Sequence, residues 1–158
     1  MRRLNVLSVF WHRIESDSTP PEHLDGTAST VSAFRDHIRF LTSKYTPISI
    51  VEFLRIASNR NLIRSYPKPP ILLGFDDGFK SVITNALPIL SEFGAPAVFF
   101  IAGEILKDPD FVPWFVEMKH VIRRAEPRNV VYRDVRLNLA WREDQARLRR
   151  LVAACFSS

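Results

Sequence analysis

Residues Ile71–Lys80 read ILLGFDDGFK. An apolar run, Ile71 to Phe75, follows Pro70 and ends abruptly in two adjacent carboxylates, Asp76 and Asp77, and then Gly78. A short apolar run bounded by a proline and a turn predicts a strand buried on both faces, as strands of parallel sheets are. Neighbouring side chains of a strand point to opposite faces, so two adjacent Asp residues can serve one site only where the strand ends and the chain turns. Gly78 supplies the freedom for that turn. In α/β folds, sites gather at the carboxyl ends of parallel strands, and the doublet stands at that place. Two carboxylates this close repel unless their roles divide. A divalent cation can divide them, one Asp ligating it and the other accepting a proton from bound water. The alternative is that Asp76 caps the following helix and Asp77 is a turn residue. Spacing alone leaves both readings open.

Outward from this strand, Leu4–Trp11 and Ala97–Ile101 are two further apolar runs that predict buried strands. Between them, Phe34, Ile38, Leu41 and Tyr45 recur at helical spacing within 31–45. Ser49 and Glu52 form a capping-box pattern ahead of an apolar stripe of Ile50, Phe53, Leu54 and Ala57. Residues 81–93 predict a helix that Pro88 kinks or divides and that Gly94 stops. Residues 12–30, with Pro20, Pro21 and Gly26, read as one long loop. Strand and helix in alternation predict a parallel sheet of about three strands with crossover helices. Beyond it, Pro113 opens a helix with Trp114, Met118, Val121 and Ile122 on one face. Residues 130–132 and 135–137 flank Arg133-Asp134 as a hairpin, and 143–156 form a basic amphipathic helix.

The chain has 158 residues, enough for one domain with its own core, and its 46% hydrophobic and 25% charged content is that of a globular protein. The only cysteine is Cys155, so no intrachain disulfide can form. No apolar run approaches the ~20 residues of a membrane span. The first residues lack the small-residue cleavage site of a signal peptide, which favours a cytoplasmic location. The formal charge of +5 arises beyond residue 116, where ten Lys and Arg face five Asp and Glu. A nucleic-acid arm would show such an excess. Interspersed acids and the absence of alternating aromatics favour a solvated helix face, and no nucleic-acid partner is expected.

GFDDGF at a strand end, followed by a helix and then PAVFFIAG, resembles the polysaccharide deacetylase family. Residues 75–78 match the last four positions of that family's T-F-D-D-G motif. Phe10–Ile14 (FWHRI) is similar to its opening strand-tyrosine-histidine segment, and FVPWFVEMKHVI to a tryptophan-containing helix of longer members. The resemblance covers 4–124 well. It implies a metal-dependent hydrolase that removes N-acetyl or O-acetyl groups from a glycan or N-acetylated sugar. It also implies an α/β fold, a distorted (β/α) barrel of which this chain supplies a part. Asp76 would be the catalytic base that deprotonates a metal-bound water. Asp77 would be a ligand of zinc or a similar divalent ion. His12 and Gly78 would lie at the pocket rim, and a late histidine would protonate the leaving amine.

The sequence also departs from the family. Of His12, His23, His37 and His120, no two have the family's His-x-x-x-His spacing, and no histidine follows Leu139. The substrate-positioning arginine motif has no match. Position 74 is Gly where the family usually has Thr. One carboxylate is a poor zinc site, since a catalytic zinc takes about three protein ligands. His12 could join as a ligand; shaping the rim is the plainer role. His37 and His120 fall in helices, with surface or packing roles. The expectation is therefore one incomplete domain over 1–158, a barrel start at 1–110 and a helix-hairpin-helix insertion at 111–158. Such a truncated chain would bind metal weakly, turn nothing over and self-associate through an open sheet edge. The alternative is a non-catalytic sugar- or partner-binding remnant of such an enzyme. A nucleic-acid module is the third reading, and salt-independent affinity for duplex DNA would remove it.

Overall fold

The computed structural model describes residues 5–20, 24, 27–108, 110–117, 129–132, 135–139 and 141–153. The chain divides into two compact units, 1–103 and 104–158.

In the first unit the described elements run β1 (Leu7–Trp11), β2 (Arg13–Glu15), β3 (Ala28–Thr30), α1 (Val31–Lys44), β4 (Thr46–Ile48) and α2 (Ile50–Ser58). A 3-10 turn (Arg60–Ser65), β5 (Pro70–Phe75), a π-helical turn (Val82–Ala86), α3 (Leu87–Glu92) and β6 (Val98–Phe99) follow. Strand β5 is central, and all six of its residues are buried. Its whole length pairs in parallel with β1, from Leu7↔Ile71 to Trp11↔Phe75. Two strands share its other edge, also in parallel. β4 pairs with Pro70, Ile71 and Leu72, and β6 with Gly74 and Phe75.

The three expected parallel strands are present, and the described residues form a mixed α/β arrangement with no closed barrel. β4 is a fourth strand that the pattern did not predict. At three residues, Thr-Pro-Ile, it is too short to show a period, and Pro47 reads as a strand breaker. The supposed long loop at 12–30 is corrected too. It contains β2 and β3, which pair in parallel from Arg13↔Ala28 to Glu15↔Thr30. Three-residue strands whose partners lie a loop away carry no local signal.

Helices α1 and α2 begin at side-chain caps. The Thr30 side chain accepts from the Ala33 N–H and starts α1, whose buried face is Phe34, Ile38 and Leu41. The Asp17 carboxylate accepts from the Ser32 N–H and hydroxyl, and these bonds hold its pKa below the ordinary range. Ser49 and Glu52 form the reciprocal capping box of α2. Pro88 lies in the first turn of α3, where its missing N–H is harmless, and the preceding turn widens to π. Gly94, at φ +58°, ends the segment as expected.

The core lies between one sheet face and these helices. Trp11, Phe34 and Phe75 meet ring to ring at centroid separations of 5.2 to 5.7 Å, and Phe99 stacks on Phe75 at 5.3 Å. Ile38, Leu73, Val82, Ala86, Ile89 and Leu90 complete it. A smaller cluster joins Ile48, Ile56 and Ile63.

In the second unit, residues 114–117 are helical after Pro113. β7 (Asn129–Tyr132) and β8 (Val135–Asn138) form the expected antiparallel hairpin, and α4 (Arg142–Ala153) follows. Asp144 accepts from the Asn138 N–H at 2.7 Å, and Gln145 donates to the Leu139 carbonyl at 2.6 Å. Acids Glu143 and Asp144 open α4 and Arg150 stands in its last turn, signs that suit the helix dipole. Met118, His120, Val121, Ile122, Arg133, Asp134 and Cys155 lie outside the described residues.

The capping box yields a pH-dependent prediction. The Ser49 N–H and then its hydroxyl hold the Glu52 carboxylate below its ordinary range. A depressed folded-state value stabilises above the unfolded value, and that gain is lost as pH falls through the folded one. Glu52→Ala should therefore lower stability by about 1 kcal/mol at neutral pH. In urea titrations the gap from the parent protein should close as pH drops through the glutamate range; a constant gap would mean that the charge is irrelevant.

Candidate active site

The carboxyl ends of β1, β5 and β6 are tied together one step past their strands. The Asp76 N–H donates to the Trp11 carbonyl at 3.0 Å, and the Phe100 N–H to the Phe75 carbonyl at 2.8 Å. The chain then turns sharply. Asp77 and Gly78 both have φ near +71°. Glycine adopts this left-handed region freely, whereas Asp enters it at a cost and is among the few residues that do so.

The turn directs Asp77 toward the end of β1. His12 Nδ1 lies 2.8 Å from Asp77 Oδ2, so an Nδ1–H donates to the carboxylate. The pair is half-open to solvent, with side-chain exposures of 38% and 26%. That leaves it accessible to a ligand. Asp76 is half-buried beside it.

Two bonds hold the segment after His12 against the segment after Asp77. The Ile14 N–H donates to Ser81 Oγ at 3.3 Å, and Asn85 Nδ2 donates to the Ile14 carbonyl at 2.6 Å. The Arg13 guanidinium lies over the Phe79 ring at 5.6 Å. Ser81 and Asn85 were invisible as site residues in the sequence, because a polar residue in a helical pattern reads as solvated surface.

The structure thus brings Asp76, Asp77, Gly78 and His12 to one place. His37 is elsewhere, exposed on α1 with its ring stacked on Trp11 at 6.4 Å. His23 and His120 lie outside the described residues. The left-handed turn predicts a ranking of substitutions at Asp77. Asp77→Asn tolerates this backbone, and Asp77→Val should be less stable than it by about 1–2 kcal/mol. Chemical denaturation of both variants checks this; equal stability would show that the turn relaxes without strain.

Residues 64–133 match the polysaccharide deacetylase family. Over 104 residues the chain is 29% identical to the poly-beta-1,6-N-acetyl-D-glucosamine N-deacetylase of Escherichia coli K12, and equally to that of strain O157:H7. The match takes in 65% of this chain and 15% of those proteins, so the chain spans only a small part of their length. Among solved structures, the Streptococcus pyogenes deacetylase PplD in complex with acetate aligns with a TM-score of 0.56 and 22% identity. That alignment covers 75% of this chain and 52% of PplD. A de-N-acetylase from Aggregatibacter actinomycetemcomitans aligns at 0.50 and 17%, covering 94% and 51%. The family match and the similar relatives agree with the resemblance read from the FDDG strand end, and the structural likeness is one of fold.

Polysaccharide deacetylases are in general metal-dependent, and a metal site needs several donors brought together. Among the described residues, no group of three or more His, Cys, Asp or Glu side chains is placed to hold an ion. Asp77 Oδ2 is already engaged by His12. This donor set does not fit a catalytic zinc, which takes about three protein ligands. Among the described residues no helix is long and apolar enough to cross a membrane.

Proposed function

We propose that this chain carries the strand-end carboxylates of a carbohydrate deacetylase, which hydrolyses acetyl groups from a glycan built of N-acetylated sugars. Its parallel strands would open a distorted β/α barrel. The observation that supports this reading best is the His12–Asp77 pair beside Asp76, at the carboxyl ends of two paired parallel strands.

In this reading Asp76 accepts a proton from the water that attacks the acetyl carbonyl carbon. Asp77 holds Nδ1 of His12, so the imidazole can exchange a proton with substrate only at Nε2. When the carbon–nitrogen bond breaks, doubly protonated His12 gives its Nε2 proton to the departing amine. Acetate and a free amino sugar result. His12 thereby takes the role that the family resemblance gave to a late histidine.

The test is acetate release from a short N-acetylglucosamine oligomer by the full natural protein that carries these residues. Release that Asp76→Asn and His12→Asn each abolish, with folding intact, supports the reading. Full release by either variant contradicts that residue's role.

The incomplete donor set favours one second reading, a non-catalytic sugar-binding remnant. It predicts oligomer binding without acetate release, unchanged by Asp76→Asn.

A further inference from the structure

We propose that Phe10 and Phe100 form an aromatic floor that receives the apolar face of the substrate's pyranose ring, and that Gly74 exists to let this floor form. The inference rests on the glycan deacetylase reading and extends it to two substrate-contacting rings and a positioning residue.

Gly74 stands where the family usually has Thr. A Cβ at this position would stand 2.2 Å from Phe10 Cε1 and 2.5 Å from Cδ1. No side chain fits unless the Phe10 ring moves away. Glycine therefore lets the ring lie across β5, at the register pair Phe10↔Gly74. Without the ring, a glycine in a buried central strand would only weaken it.

Alternation turns Trp11 and Phe75 into the core and carries Phe10 and Gly74 to the opposite face. Trp11, Phe34 and Phe75 are at most 8% exposed, whereas Phe10 is 41% and Phe100 48% exposed. The two open rings face each other at 6.0 Å with a 38° tilt. Such a pair of exposed, mutually tilted rings suits a flat ligand with C–H bonds on one face and polar groups at its rim.

Position names the ligand. Phe10 precedes His12 by two residues, and Gly74 precedes Asp76 by two. Phe100 is fixed at the same strand ends by its bond to the Phe75 carbonyl. The floor is thus continuous with the groups proposed to act on the acetyl group. A sugar resting there would present its substituents to them.

The experiment uses the full natural protein and a short N-acetylglucosamine oligomer, with calorimetric Kd and steady-state kinetics measured together. Phe100→Leu keeps bulk but removes the ring, and Phe100→Tyr keeps the ring. Gly74→Ala pushes the Phe10 ring aside while leaving both aromatic residues in the sequence. Phe100→Leu and Gly74→Ala should raise Kd and KM by roughly three- to tenfold while kcat holds, and Phe100→Tyr should bind like the parent. Unchanged Kd in both variants, with a lowered Tm, would overturn the inference and mark the rings as packing for another part of the protein. Variant-sensitive binding without acetate release would uphold the floor and defeat the deacetylase reading. Release with variant-insensitive KM would do the reverse.

Discussion

Asp76→Asn should slow acetate release by about a hundred- to ten-thousand-fold, the range associated with one positioned proton acceptor. The substitution is nearly isosteric, and the backbone bond from residue 76 to the Trp11 carbonyl survives it. Thermal melting should therefore stay within about 0.5 kcal/mol of the parent, as expected for a change that creates no cavity and buries no charge. Oligomer affinity should also persist, because the sugar is held by groups other than this carboxylate. A loss of rate accompanied by a loss of fold would point instead to a helix-capping role.

Phe75→Ala has the largest expected effect on stability. Phe75 is 2% exposed and stacks between Trp11 and Phe99, with Phe34 at its edge. Truncation removes three ring contacts at once and opens a cavity beneath the site. Such a change typically costs about 3–5 kcal/mol, a large share of the roughly 5–15 kcal/mol that keeps a domain folded. Urea unfolding should show a collapse of the midpoint, and acetate release should fail with it. A loss under about 1 kcal/mol would mean that the aromatic cluster is not the core of this unit.

The elements that the sequence disclosed are those with a long period or a strong boundary. Phe34, Ile38 and Leu41 repeat at helical spacing, Ser49 and Glu52 announce a helix start, and Pro70 with the Asp doublet brackets β5. Each signal is local. β4 and the β2–β3 pair are three residues each and owe their existence to partners distant in the chain, so their pairing could not be read locally. At the candidate site, the doublet was legible because adjacent charges at the end of an apolar run need an explanation. His12 was legible as a residue following the first strand, in a segment similar to the family's opening one, and as a residue of the pocket rim. What brings it within 2.8 Å of Asp77 is the parallel register of β1 on β5 together with the left-handed turn at Asp77, and neither leaves a trace in composition. Gly74 stood out as a departure from a family motif, but its reason is the Phe10 ring, which crosses from another strand.

The most direct measurement is a single turnover in isotopically labelled water, with the full natural protein in excess over an N-acetylglucosamine oligomer. If Asp76 removes a proton from the attacking water, heavy oxygen enters the acetate in that first turnover and none is found in the protein. Unlabelled acetate with heavy oxygen left on residue 76, or an acetyl group on residue 76 captured by hydroxylamine (water could open such an anhydride at either carbonyl), would show that the carboxylate attacks the substrate itself, and would contradict its role as proton acceptor.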